Sequence, residues 1–215
     1  MAGVVAANAP LLKAHGFRKR RHCFNRTTAD GLVHVVNFWM APFEPPAWTE
    51  VPGIRERLYG TFRLDLGVWA PEMSRGGSPK SEWVNDYNCH LRCTIGDLTE
   101  PSQPNDLWWP LDEFAPGHAR DGLIDHGLPW LDQFPSKLAV IDAFESRGPL
   151  ALGMSPAGPL DIAELYSGLD RPADARRILA EYVEEPKSCG HAEYLTAYLD
   201  RRGYPDLASR VAILG

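Results

Sequence analysis

The stretch GLVHVVNFW, Gly31 to Trp39, decides the fold. β-Branched and aromatic residues crowd it almost without charge, between an Ala-Asp-Gly turn and Ala41-Pro42. A run this apolar is predicted to be a strand buried on both faces near the middle of a sheet. On its N-terminal side lies FRKRRHCFN, residues 17 to 25, with Arg18, Arg20 and His22 on one side of an extended segment and Lys19 and Arg21 on the other. Cations on both faces suit an edge strand protected against pairing with another molecule, or alternatively an anionic contact surface. Asp30-Gly31 is a short hairpin signal, so these first two strands should pair antiparallel.

On its C-terminal side, residues 41 to 60 are rich in proline and aromatics, Trp48 among them, and read as a loop. TFRLDLGVWA, residues 61 to 70, then alternates strictly: Phe62, Leu64, Leu66 and Val68 on one face, Arg63, Asp65 and Gly67 on the other. After a loop over 71 to 80, YNCHLRCTI (87 to 95) is predicted to be a fourth strand. It points Tyr87, Cys89, Leu91, Cys93 and Ile95 inward and Asn88, His90, Arg92 and Thr94 outward. Residues 2 to 15 carry helical spacing and a His15-Gly16 stop, with Pro10 as a late start or a bend. That helix is the nearest cover for the apolar side of the sheet.

Beyond Leu111 the pattern becomes helical, over 117 to 126, 136 to 146, 160 to 168, 172 to 184, 189 to 202 and 204 to 213. Pro172 and Pro205 fall in first turns, Gly168 and Gly203 at helix ends. Segments beginning Ala163-Glu164 and Ala192-Glu193 repeat a helix, break, helix layout at an offset of 29 residues. In type they are tetratricopeptide-like pairs, too few for a solenoid. The predicted fold class is α+β: an antiparallel sheet of about four or more strands, an N-terminal helix on one face and a C-terminal α-helical region. Three parts are expected: an antiparallel α+β domain over 1–115, a helical connection over 116–150 and helical hairpins over 151–215.

Lys and Arg number 22 against 28 Asp and Glu, a net charge of −6, so no overall positive field recruits nucleic acid or an anionic membrane. That balance suits a basic partner protein. No apolar run approaches the roughly 18 residues of a membrane span, and the N-terminus lacks a basic region before an apolar core. Four scattered cysteines argue for free thiols in a reducing compartment, hence a cytoplasmic location.

The ordered set GFRKRRHCFNR, DGLVHVVNFW, FRLDLGVW, NCHLRCTIGDL and DLWWPL, followed by HGLPWLDQF, resembles the bacterial domain of unknown function 4304 family over residues 10 to 145. The resemblance implies an α+β fold and supplies no catalytic motif to transfer. It also implies an association with toxin neutralisation, and so an immunity-type binding protein.

Motif by motif, catalysis finds little footing. Gly76-Gly77-Ser78-Pro79-Lys80-Ser81 lacks phosphate-loop spacing, and Ser155 in GMSPAG is followed by a proline that offers no oxyanion amide. Cys89 and Cys93 on one strand stand about 13 Å apart, too far for one ion. No cofactor or metal is expected from these patterns. One convergence is conceivable: His34, Asp65 and His90 on neighbouring strands could hold a divalent metal or exchange protons, with Arg63 and Arg92 binding an anionic substrate. The plainer alternative is a solvated outer face with Arg63, Asp65 and Arg92 in cross-strand pairs. Trp48, Trp83, Trp108 and Trp109 sit in or beside loops, where aromatic anchors mark contact surfaces. The expected function is a non-enzymatic, immunity-type protein-binding module, ahead of a small metal-assisted hydrolase.

Overall fold

The computed structural model describes residues 1–41, 60–74, 83–99 and 107–211; Trp48 and the glycine-rich 76–81 stretch lie outside them. The chain divides into two compact units, Met1–Pro71 with Ser78–Gly153, and Glu72–Gly77 with Met154–Gly215.

In the first unit, α1 (Ala2–Ala14) runs through Pro10 and starts at its expected place. It stops where His15-Gly16 predicts: the amides of Gly16 and Phe17 bond back to the Lys13 and Leu12 carbonyls, satisfying the last turn. The single extended segment expected over 17 to 25 does not form. Residues 17 to 25 form two short strands, β1 (Arg18–Arg20) and β2 (Cys23–Thr27), joined by a turn at Arg21 and His22 in which Arg21 takes φ of +56°. Glycine ordinarily occupies such a turn, so alternation continues across it in the sequence with nothing to announce the reversal.

β3 (Val33–Met40) carries the deciding stretch and lies in the middle of the order β1-β2-β3-β4-β5, with β4 (Thr61–Trp69) and β5 (Leu91–Thr94) beyond it. β6 (Trp109–Pro110) pairs with the start of β4, and every pairing is antiparallel. The fold is α+β, as predicted.

One sheet face carries Phe24, Val36, Phe38, Phe62, Leu64, Leu66, Val68 and Leu91, all essentially inaccessible. Helices pack on this side: α2 (Ile95–Thr99) and α4 (Leu128–Leu131) on β4, and α1 on α3 (Ala115–Gly122) and β1; α5 (Lys137–Arg147) follows. A π-turn over Leu123–Gly127 joins α3 to α4, so the helix predicted to end at 126 continues to Leu131. Its i→i+5 bonding turns residues five apart towards one side. Gly122 and Gly127 use this: a Cβ on either would stand 3.2 and 3.0 Å from Ile95, so only bare backbone fits there without displacement.

The second face is not wholly open. Residues 83 to 89 cross it through a 3₁₀ turn (Asp86–Asn88), and the predicted strand over 87 to 95 shrinks to Leu91–Thr94. Asn25 holds the crossing, its amide donating to the Val84 carbonyl (2.9 Å) and its oxygen accepting from the Val84 amide (3.0 Å). Val84 and Cys89 thereby join Cys23, Val33 and Val35 in a small second core, flanked by Trp69 and Trp83. Cys89 therefore packs on the face opposite Leu91 instead of beside it, and Tyr87, predicted inward, is 68% exposed.

The second unit consists of α6 (Gly158–Gly168), α7 (Pro172–Val183), α8 (Cys189–Arg201) and α9 (Pro205–Ala208), with Pro172 and Pro205 in first turns as read. Its buried Glu164 accepts from the Tyr198 hydroxyl (2.8 Å) and from Arg202 (2.5 Å), which satisfies a carboxylate otherwise costly to bury. Among the described residues no helix is long and apolar enough to cross a membrane.

Candidate functional site

Sheet register sorts the candidate residues. Asn37 lies opposite Asp65 and Trp39 opposite Arg63, while Arg92 lies opposite Gly67, so these side chains share the second face. His34 pairs with Val68 and points to the other side. The proposed His34, Asp65 and His90 convergence is thus not formed. Asn37 pairs with Asp65, and His34 lies three positions from Asn37 along β3, an odd step that turns it to the opposite face; only the β3–β4 register fixes this. Among the described residues no group of three or more His, Cys, Asp or Glu side chains is arranged to hold a metal.

His34 is instead a structural tie. It is 1% exposed; Arg26 donates to its Nδ1 (2.9 Å), which leaves the proton on Nε2, directed at the Phe134 carbonyl (2.8 Å). Burial, reinforced by the Arg26 charge, pushes its pKa down to about 4. His90 stacks near Trp69 at 6.4 Å and accepts the Ala70 amide at Nδ1 (3.3 Å). Burial also raises the thiols: Cys23 to about 11, and Cys89 and Cys93 well above the usual cysteine range, so none of the three is a thiolate nucleophile near neutrality.

The part of the second face left beyond the crossing segment carries a different arrangement. Arg63 lays its guanidinium over the Trp39 ring (5.2 Å) and the Trp108 ring (5.1 Å), while its Nε stands 2.9 Å from Asp65. The two tryptophans meet edge to face at 5.2 Å, and Trp39 is 40% exposed. Beside them Asn37 donates to Asp86 (2.8 Å), fixing the crossing segment to β3. Alternation separates the tryptophan pair: Trp108 joins this cluster, whereas Trp109, half-buried, packs on Phe62 (5.4 Å) of the opposite face. Trp39 itself, hidden in the most apolar stretch, was not among the contact residues expected from sequence, because its outward parity depends on register.

Two clefts flank the cluster. The larger, about 1010 Å³, is bounded by Lys19, Arg20, Arg21 and His22 of the β1–β2 hairpin, by Asn37 and Trp39 of β3, and by Trp83, Asn85 and Tyr87 of the crossing segment. The smaller, about 280 Å³, has Arg63, Asp65, Asp86, Arg92 and Asp97 around it. Partial burial, together with the N-terminal ammonium, Lys19 and Arg21, lowers the pKa of His22, so the hairpin charge near neutrality resides in Arg18 to Arg21. Whole-chain charge predicted a basic partner, but around the larger cleft the sign is reversed.

No family model, curated protein or solved structure matches the chain.

Proposed function

We propose that the protein is a non-enzymatic, cytoplasmic protein-binding module, of the immunity type implied by the sequence resemblance, which docks its partner on the Trp39, Arg63 and Trp108 end of the sheet. The observation that carries this is the cluster of two tryptophans and one arginine itself. Tryptophan and arginine supply a disproportionate share of binding energy at interfaces. Here the arginine lies against both rings and is ion-paired before any partner arrives, so little rotamer freedom remains to be lost on docking. The register separates His34 from Asp65, so the grouping on which the hydrolase alternative rested is not formed among the described residues.

Affinity capture from the source organism tests the proposal. Wild-type protein should retain one partner protein in stoichiometric amount, and Trp39→Ala should reduce that capture by at least about tenfold, since truncating an anchor costs about 2 kcal/mol or more. Equal capture by wild type and a folded Trp39→Ala variant would contradict it.

A further inference from the structure

The β1–β2 hairpin concentrates positive charge in a chain whose net charge is negative. Arg18 to Arg21 supply four cations, so the remainder of the chain stands at −10 when the whole is −6. All four are exposed, and the described residues around the 1010 Å³ cleft include no carboxylate. An edge strand needs one or two such charges to discourage pairing; four consecutive ones, with a cleft beside them, exceed that purpose. The turn adds an independent sign. Arg21 holds a left-handed backbone at φ +56°, where glycine would relax it and an L residue costs about 1 kcal/mol. Strain of this kind gathers at functional positions.

Building on the binding-module reading above, we propose that this cleft receives an acidic segment of the partner protein, its carboxylates on Arg20 and Arg21 and its apolar side chains on Trp39 and Tyr87. Charge complementarity favours this occupant. A nucleic acid fits less well: its phosphates continue along the strand, and beyond one short hairpin they would meet a surface with a net negative charge. Apolar surface between the cations also suits a peptide, because Tyr87 and Trp39 are exposed beside the charged tip.

Titration of the full-length protein with a short glutamate-rich peptide containing leucines tests the inference, with a single-stranded oligonucleotide and a lysine-rich peptide of equal length as comparators. The acidic peptide should bind, weaken as salt rises, and lose at least about tenfold in affinity with Arg20→Glu/Arg21→Glu, whereas Arg201→Glu in the other unit changes nothing. Arg21→Gly, which relaxes the turn and removes one charge, should fold at least as stably and still bind more weakly. No binding of the acidic peptide, tighter binding of the oligonucleotide, or indifference to the charge reversal would overturn it. Failure here is separable from failure of the parent proposal: partner capture that is lost with Trp39→Ala but intact with Arg20→Glu/Arg21→Glu rejects the acidic segment and leaves the binding module standing.

Discussion

His34 is the residue most changed by seeing its surroundings. As a histidine in a strand near an aspartate and another histidine it invites catalysis; in place it ties β3 to the Phe134 carbonyl and is held neutral by burial and by Arg26. Its folded pKa of about 4 lies below the ordinary 6.5, so the unfolded chain binds the proton more readily between those values. Stability is therefore full above pH 6.5 and falls as pH drops towards 4, by about 3 kcal/mol at most. Urea unfolding across that window should show the slope. His34→Gln, which keeps a donor for Phe134 and an acceptor for Arg26 without titrating, should flatten it; an unchanged slope would mean that His34 is not the group responsible. No sequence pattern distinguishes these roles, because both need only a histidine at one position, and the deciding parity comes from the pairing of β3 with β4, strands well separated in the chain.

At the scale of elements, legibility followed periodicity. β3 was legible as an unbroken apolar run and β4 as a strict alternation, so the placement of both and the faces of β4 came through, while the faces of β3 waited on register; the helix ends at Gly168 and Gly203 and starts at Pro172 and Pro205 came through because backbone chemistry marks them. The two misread strands share one cause. Over 17 to 25 and 87 to 95 a period-two pattern continues in the sequence while the backbone turns, once at Arg21 and once through a 3₁₀ turn, and neither turn contains the glycine or proline that would signal it. Gly67 registers the second event. A Cβ there would lie 2.5 Å from Cys89 Sγ and 2.6 Å from its Cβ, so the crossing segment sits directly on bare β4 backbone. Gly67→Ala should cost about 1–3 kcal/mol in urea unfolding by overpacking this contact, and adding Cys89→Gly should recover part of the loss. A Gly67→Ala protein as stable as wild type would show that the segment does not rest there.

Taken whole, the molecule joins a sheet sealed by helices on one side to a second side divided between a small apolar core and a polar, aromatic end. Composition indicated the absence of an overall positive field but averaged away the one place where charge is concentrated, which is why net charge pointed to a basic partner and the hairpin points to acidic chemistry. Loop tryptophans indicated recognition, yet the anchor now central to it, Trp39, lies within the strand that decides the fold. Amide hydrogen exchange of the protein with and without its captured partner addresses the binding surface most directly. Added protection should appear over residues 18–22, 37–40, 61–63 and 83–88; protection confined to α6 through α9, or none at all, would contradict the assignment of binding to this end of the sheet.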